Sequence, residues 1–273
     1  MTGTWILTDS RYLRQRMPTA LVGALDRAGV EATVVCADRL LSEVGRDDVF
    51  APAPGDLVVP RTRNPMALSM LCRAELAGAR SCNSCDAVTS VRDKPRAALA
   101  LARRGVPTPR TFLADHPAAL RDLPGGAWPL LLKPSLGNNG EGIVLVDSPA
   151  ALDRLAWPDD IVLAQQYVEV AGVDLKLYGC GDALWAVRRR SPLGRPDGPD
   201  IPVPAPVTDL LRDLAYACRD TFGLELYGID VLPSQRGPLV VDVNDFPNYT
   251  GIGEAPDALA DLVRARLTET VGA

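Results

Sequence analysis

The sequence predicts an α/β protein whose first part forms a parallel sheet and whose second part is α+β. Strands and helices alternate through the first ninety residues, a glycine-rich hairpin follows, and two acidic strands flank a turn near the C-terminus. The chain has 273 residues, of which 47% are hydrophobic and 23% charged. This is an ordinary globular composition, and the length allows one large domain or two small ones.

The first ninety residues alternate short apolar runs with helical stretches. Strands are predicted at Trp5–Thr8, Ala32–Cys36 and Asp56–Pro60, and helices at 18–28 and 65–78. Such alternation is typical of a parallel sheet covered on both faces, with ligands at the carboxyl ends of its strands. Arg61 and Arg63 follow the third strand directly. They could meet an anionic substrate group or, equally well, belong to a solvated loop.

The pattern changes after residue 90. A helix is predicted at Asp93–Arg104, because Asp93 can cap it and Pro95 suits its first turn. Residues 191–206 contain six prolines and are interpreted as a surface loop. The remaining predicted strands are Pro129–Lys133, Ile143–Val146, Ile161–Val168, Leu175–Tyr178, Tyr227–Leu232 and Leu239–Val243, and the remaining helices are 207–222 and 255–270.

A polar, glycine-rich loop separates the strands of the first hairpin and follows Lys133 and Pro134. Glycine lets backbone N–H groups approach phosphate oxygens, and successive amides can form an anion nest. No Gly-Lys pair exists in the chain and no helix follows the loop, which excludes a Walker A motif and a dinucleotide fingerprint. The candidate ligand-binding residues of the loop are Ser135, Gly137, Asn138, Asn139, Gly140 and Gly142.

Three hard oxygen ligands lie on the last two predicted strands. Asp242 and Asn244 are two residues apart on one strand, so their side chains share a face. Asp230 lies on the neighbouring strand and can face the same point. Carboxylate and amide oxygens suit Mg²⁺, with Mn²⁺ as a possible substitute. The alternative interpretation is that these polar residues only cap the turn.

The charged residues limit the functional classes. The net charge of −5 argues against non-specific binding of nucleic acid. No apolar run is long enough to span a bilayer and no signal peptide is recognisable, so we expect a cytoplasmic protein without membrane contact. Lys94, Lys133 and Lys176 are the only lysines among 29 basic residues. Codon bias can explain the abundance of arginine, but the three positions of lysine call for an explanation.

The cysteines and the histidine give no metal or catalytic signature. Cys82 and Cys85 form the only C-x-x-C pair, and a structural zinc site needs further cysteines or histidines. We expect reduced, partly buried thiols, although a redox dithiol remains open. His116 is the single histidine, so histidine-based catalysis is not expected.

Taken in order, these segments resemble the ATP-grasp superfamily, and most closely its RimK-type carboxylate–amine ligases. Residues 92–105 are similar to the helix with the first ATP lysine, here Lys94, and residues 129–146 to the hairpin with the second, Lys133. The strands with Asp230, Asp242 and Asn244 are similar to the family's metal strands. The resemblance further implies an adenine hinge at Gln165, Gln166, Tyr167 and Val168, a ribose contact at Asp174, and a phosphate or acyl contact at Lys176.

The resemblance implies a pre-grasp domain at 1–88 and an ATP-grasp domain at 89–273. The second would contain a central lid at about 106–168 and a metal-binding part at about 169–273. The implied reaction activates a carboxylate as an acylphosphate and joins it to an amine, releasing ADP and phosphate. We expect small-molecule or peptide substrates, and self-association is left open. Arg188, Arg190 and Lys176 are the expected catalytic residues, and Arg61, Arg63, Asn248 and Gly251 the expected substrate contacts.

The sequence departs from the ligase pattern in three places. The hinge has Gln166 where glutamate is usual. Asp242 stands where these ligases usually have glutamate, and with the following F-P-N-Y-T-G it is more similar to the inositol polyphosphate kinases of the same fold. A proline-rich loop replaces the arginine–asparagine stretch expected after Arg188. The alternative hypothesis is therefore an ATP-dependent kinase acting on a polyol or inositol-phosphate-like hydroxyl.

Overall fold

The computed structural model describes residues 2–44, 49–136, 142–169, 172–191 and 200–269. Three sheets organise this part of the chain: a parallel one near the N-terminus, and two antiparallel ones after it. The predicted α/β class, with its α+β second half, is thereby confirmed. Among the described residues, no helix is long and apolar enough to cross a membrane.

The N-terminal sheet is parallel throughout and has the strand order β2-β1-β3-β4. Its elements are β1 (Thr4–Thr8), α1 (Arg16–Arg27), β2 (Ala32–Cys36), β3 (Leu57–Arg61), α2 (Pro65–Leu76) and β4 (Arg80–Ser81). Helices cover both faces: Ile6 packs towards α1, whereas its neighbour Leu7 packs towards α2. The carboxyl ends of β1 and β3 therefore form one edge, at which Arg61 and Arg63 begin the next loop.

Two consecutive helices leave this sheet, α3 (Cys85–Arg92) and α4 (Lys94–Arg103). The break between them falls at Asp93, whose side chain caps α4 by accepting from the Arg96 amide, as predicted. The sequence analysis did not find α3. The proposed domain boundary at residue 88 lies within α3, and the division of the chain into domains stays a proposal.

The central sheet is antiparallel with the order β5-β8-β6-β7. Its strands are β5 (Thr111–Ala114), β6 (Leu130–Lys133), β7 (Val144–Val146) and β8 (Val162–Gln166). One face buries residues such as Leu130 and Ala164 in a core of its own. The other face carries Lys133, Leu163 and Gln165, which belong to the site described below.

The C-terminal sheet is antiparallel with the order β11-β10-β9-β12-β13. Its elements are β9 (Val173–Cys180), β10 (Ala183–Arg190), β11 (Val203–Ala205), α5 (Asp209–Phe222), β12 (Leu226–Ser234), β13 (Gly237–Asn244) and α6 (Ala255–Thr268). Helix α5 covers one face, and on the other face Tyr178 packs with Tyr249 in the core that also contains Ile6 and the buried side of α1. Strand β11 lies within the segment that the sequence analysis interpreted as a loop.

The two cysteines of the C-x-x-C pair have different partners. Cys85 forms a disulfide with Cys72 of α2, which differs from the reduced thiols we expected. Cys82 is buried, and burial raises the pKa of its thiol well above the ordinary value. Spacing in the sequence therefore did not reveal the disulfide, because Cys72 and Cys85 come together only where α2 and α3 meet.

Close packing of β9 on β12 gives a stability prediction. A Cβ on Gly179 would lie 2.0 Å from the ring of the fully buried Tyr227 on the neighbouring strand. Gly179→Ala should therefore lower the free energy of unfolding by about 1–3 kcal/mol, the range typical of overpacked cores. Gly253→Ala is the matched control, because nothing lies within 4 Å of its Cβ position. Equal denaturation midpoints for the two variants would contradict this packing.

Candidate active site

A cleft lies between the central sheet and the C-terminal sheet, with α4 at its side. Its empty space, which is open to solvent, amounts to about 420 Å³. Its walls are apolar with a few polar groups. The lining includes Leu101 of α4, Leu163 and Gln165 of β8, and residues 240–243 of β13, together with Lys94 and Lys133.

Lys94 and Lys133 converge on this cleft from different elements. Lys94 is the first residue of α4, and its Nζ lies 2.9 Å from Asp242 Oδ1. Lys133 is the last residue of β6, and its Nζ donates to Gln165 Oε1 at 2.6 Å and to the Val241 carbonyl at 3.3 Å. Two ammonium groups at one cleft are suited to holding an anionic ligand such as a polyphosphate.

A row of charges crosses the C-terminal sheet. The register places Lys176, Asp230 and Asp242 side by side on β9, β12 and β13. Lys176 Nζ lies 2.6 Å from Asp230 Oδ1, and Lys94 closes the row at Asp242. Each carboxylate therefore has an ammonium partner, which compensates much of the cost of placing two acids next to each other on a sheet face.

A β-bulge in β13 directs the acidic residues to this face. Asp230 pairs with Asp242, but Val231 pairs with Val240, so Val241 is the extra residue. Val240 and Val243 consequently both point into the core under α5, and Asp242 and Asn244 face the cleft side. The bulge thus changes the direction of the side chains on a strand next to the site, which is a common role of β-bulges.

The donor set on this face suits Mg²⁺. Asp230 and Asp242 supply carboxylate oxygens, and Asn244 supplies an amide oxygen two residues further on. These are the hard ligands that Mg²⁺ prefers. In the described part of the chain no group of three or more His, Cys, Asp or Glu could hold a metal, and here the third member is an asparagine. Asn244 Oδ1 accepts from Arg63 Nη2 at 2.8 Å.

Two pKa shifts follow from these contacts. Burial raises the pKa of Asp242, but Lys94 and Lys133 outweigh it and leave the pKa below its ordinary value, so the carboxylate is ionised. Burial lowers the pKa of Lys133 to about 8, and neighbouring Lys94 adds to the effect of burial. Lys133 is thus the basic group of the site whose charge changes within reach of neutral pH.

The expected adenine hinge lies where β8 ends. Gln165 is buried and donates to Thr111 Oγ1 while it accepts from Lys133. Gln166 donates through Nε2 to the Gly126 carbonyl, and the Tyr167 amide donates to the Pro129 carbonyl. Val168 follows the strand and is half-buried. The side chains of Gln165 and Gln166 thus anchor the hinge to the sheet.

Only the ends of the predicted glycine loop are described. Gly137, Asn138, Asn139 and Gly140 lie outside the described residues. The Ser135 carbonyl accepts from the Lys94 amide, and its own amide donates to Asp159 at 2.6 Å. Gly142 has a positive φ of 74°, which favours glycine. The loop therefore starts directly beside the first residue of α4.

Asp174 is buried on the same face of β9 as Lys176. Its Oδ1 has no hydrogen-bond partner, and burial raises the pKa of its carboxyl group. A buried acceptor without a partner is costly, and a donor on a bound ligand would relieve that cost. This placement agrees with the ligand contact expected for Asp174, which remains a proposal.

The two arginines after β3 have different surroundings. Arg61 is buried and donates to the Phe246 carbonyl and to Asn248 Oδ1, both at 2.6 Å. Its guanidinium also lies over the rings of Tyr12 and Phe246. Arg61 is therefore enclosed by protein groups, contrary to the substrate contact we expected, whereas Asn248 is half-buried and its expected substrate contact remains a proposal. The side chain of Arg63, two residues further along the chain, reaches β13.

Gly251 is exposed and has a φ of 90°. A Cβ there would come within 2.8 Å of Pro202 Cβ, so the position requires glycine for packing as well as conformation. The structure gives this residue a packing role, and its expected substrate contact remains a proposal.

The predicted catalytic residues Arg188 and Arg190 lie on the face of β10 opposite that of Lys176. Arg188 is exposed, and it pairs with Leu175, which packs under α5. Arg190 lies two residues further along the strand and therefore on the same face as Arg188. Arg189 instead shares the face of Lys176 and donates through Nε to Asp200 at 2.9 Å. Strand β10 was not predicted from the sequence. Period-two alternation along Ala183–Arg190 is the signal that separates the three arginines.

Two antiparallel sheets thus enclose a cleft with two lysines and an acidic strand, an arrangement suited to a nucleotide polyphosphate. The sequence profile of the RimK-like ATP-grasp domain matches residues 91–262. A probable alpha-L-glutamate ligase from an Enterobacter species is 34% identical, covering 72% of this chain and 71% of its own. A ribosomal protein bS6–L-glutamate ligase from Salmonella paratyphi B is also 34% identical over the same shares. The chain belongs to the RimK-like ATP-grasp family.

Solved structures show the same fold at lower identity. A RimK domain protein from Sphaerobacter thermophilus superposes with a TM-score of 0.74 at 20% identity, covering 98% of this chain and 100% of its own. The ligase PsnB, solved with minimal precursor, Mg and ADP, also gives 0.74, at 19% identity and 98% and 99% coverage. The chain is an ATP-grasp ligase of the carboxylate–amine class. The resemblance seen in the sequence is confirmed, and none of these relatives supports the kinase alternative.

The pKa of Lys133 yields a pH prediction. An ammonium group must be protonated to attract phosphate, so the affinity for ADP should fall as pH rises through about 8. Isothermal titration of the wild type between pH 7 and 9.5 should show a several-fold loss. Lys133→Arg and Lys133→Met should both flatten this dependence, because the first stays charged and the second never is. An unchanged slope in both variants would rule out Lys133 as its source.

The two faces of β10 yield a second prediction. Arg189→Gln should lower kcat/KM at least tenfold, since the loss of one preorganised cation at a reacting centre typically costs that much. Arg188→Gln should stay within about twofold of the wild type, because its side chain is exposed on the opposite face. The test is steady-state ADP release by the two variants side by side. The reverse ranking would place the reaction on the other face.

Proposed function

We propose that the chain binds ATP in the cleft and uses it to activate a substrate carboxylate for attack by an amine. The carrying observation is that Lys94, Lys133 and Asp242 line one cleft, and that Asp230 and Asn244 lie next to Asp242 on β12 and β13. Lys94 and Lys133 would neutralise phosphate charge, and the hinge at 165–168 would contact adenine. Apolar Leu163 and Leu101 suit a base, and the buried acceptor Asp174 suits a ribose hydroxyl.

We assign the metal to Asp230, Asp242 and Asn244, with Mg²⁺ as the natural ion and Mn²⁺ as an oxygen-preferring substitute. When bound, it supplies positive charge to the phosphates during transfer. The lysines that now pair with the two carboxylates would then be released towards the phosphates. Exchange of partners keeps each charge compensated before and after binding.

The proposed chemistry has two displacements. A carboxylate oxygen attacks the γ-phosphorus, the bond to the β-phosphate oxygen breaks, and ADP leaves. The amine nitrogen then attacks the acyl carbon of the acylphosphate, the carbon–oxygen bond to phosphate breaks, and the nitrogen loses a proton to water. Arg189 and Lys176 lie on the site face and would stabilise the transferring phosphoryl and the acyl oxygen.

We propose a peptide or small-molecule carboxylate as the acid and an amino acid such as glutamate as the amine. The support comes from a relative whose name gives ribosomal protein bS6 and L-glutamate, and from the structural neighbour PsnB, which was solved in complex with a precursor peptide. Arg63 is the candidate for the substrate carboxylate, because its guanidinium ends 2.8 Å from Asn244 Oδ1 at the metal strand. A carboxylate held there would lie beside the proposed metal site.

Asp242→Ala tests this proposal. We expect the rate of ADP release to fall more than a hundredfold. The midpoint of thermal unfolding should fall by only a few degrees, because Asp242 is half-buried on an edge strand. Wild-type protein with ATP, Mg²⁺, a panel of acids and hydroxylamine should yield a hydroxamate and ADP rather than AMP. Turnover by Asp242→Ala would remove the metal assignment. A phosphorylated alcohol without any hydroxamate would point to kinase chemistry.

A further inference from the structure

A second ion pair, outside the row of charges, joins the elements around the site. Arg92, the last residue of α3, contacts Asp245 through two hydrogen bonds, Nε to Oδ1 at 3.1 Å and Nη2 to Oδ2 at 2.7 Å. Both side chains are buried, 13% and 6% exposed respectively. Arg92 Nη2 also donates to the Thr62 carbonyl.

Each contact of Arg92 is one or two residues from a proposed site residue. Thr62 precedes Arg63, Asp245 follows Asn244, and Arg92 itself lies two residues before Lys94. One planar guanidinium therefore fixes the substrate side, the metal side and the start of α4 relative to one another. A small cleft of about 200 Å³ brings these side chains together, lined among others by Arg63, Arg92, Lys94 and Asn244.

The other end of α3 is fixed to the same strands. Asn83, just before the helix, is buried and accepts from the Glu225 and Leu226 amides at 2.6 and 2.9 Å. It also donates to the Asp245 carbonyl. Helix α3 is thus tied at both ends to β12 and β13, and Asp245 is held through its side chain and its backbone. Asn244 follows any displacement of Asp245, since the two are adjacent.

We propose that the Arg92–Asp245 pair is a positioning device that holds Asn244 against Arg63 and so sets the affinity for Mg²⁺ and the rate of turnover. This inference rests on the proposed roles of Asn244 and Arg63. Neither Arg92 nor Asp245 needs to touch a reactant. Arginine is required, because lysine offers a single point charge and cannot bind two carboxylate oxygens and a carbonyl in one plane.

Arg92→Lys tests the proposal at constant charge. We expect kcat to fall about tenfold or more, and the Mg²⁺ concentration for half-maximal activity to rise about tenfold, as is typical when groups behind metal ligands are changed. Affinity for ADP without metal should change much less than affinity with Mg²⁺, because Lys133 and the central sheet do not contact Arg92. Calorimetric titration with ADP, with and without Mg²⁺, measures this directly.

Arg266→Lys is the matched control. Arg266 of α6 pairs with Glu225 at 2.5 Å, and neither residue lines the two clefts described. If Arg92 were merely structural, both variants would lower the melting temperature and leave the Mg²⁺ dependence per folded molecule unchanged. That result would overturn the proposal. If Arg92→Lys does not fold, Asp245→Asn provides the same test with nearly the native shape.

The two proposals fail differently. A wild-type protein that releases no ADP with any acid would remove the proposed ligase substrates, yet Mg²⁺-dependent ADP binding would still test Arg92. Conversely, normal Mg²⁺ dependence in Arg92→Lys and Asp245→Asn would remove the positioning role and leave the ligase intact.

Discussion

The site depends on compensation of two carboxylates that lie side by side on the C-terminal sheet. Asp230 and Asp242 occupy paired positions on adjacent strands, where like charges repel and water is partly excluded. Lys176 and Lys94 compensate them from the two ends of the row. Because the compensating cations come from β9 and α4, the sheet and the helix must meet for this arrangement to be stable. Under the proposed function, the same cations would become available to a phosphate once a metal occupied the carboxylates.

This compensation explains why lysine persists in a chain that otherwise uses arginine. All three lysines lie at the nucleotide cleft or in the row of charges, each as a compact charge on a flexible stem. Two arginines next to the site have a different role, because Arg61 and Arg92 each bind several oxygens at fixed angles. A planar guanidinium suits a junction whose geometry does not change, and a flexible ammonium group suits a charge that changes partners.

The sequence predicted most of the framework, since apolar periodicity and helix caps are local properties. Asp93 as a cap and the pairing of Asp230 with Asp242 are examples that the structure shows. Errors arose where a side chain's surroundings depend on distant segments. Arg61 is buried by Phe246 and Asn248, almost 190 residues away in sequence, and Cys85 pairs with Cys72 across two helices. The sequence did not show which face of β10 each arginine occupies, because β10 was not predicted as a strand and side-chain alternation could not be assigned along it.

The bulge at Val241 shows how a small irregularity can decide function. In a regular strand Val240 and Asp242 would share a face, and burying the valine under α5 would bury the carboxylate with it. The extra residue separates them, so that Val240 and Val243 complete the core while Asp242 and Asn244 face Lys94 and Arg63. It also turns the Val241 carbonyl to Lys133, which links the central sheet to the metal strand. One inserted residue thus aims the acids and joins the two halves of the nucleotide cleft.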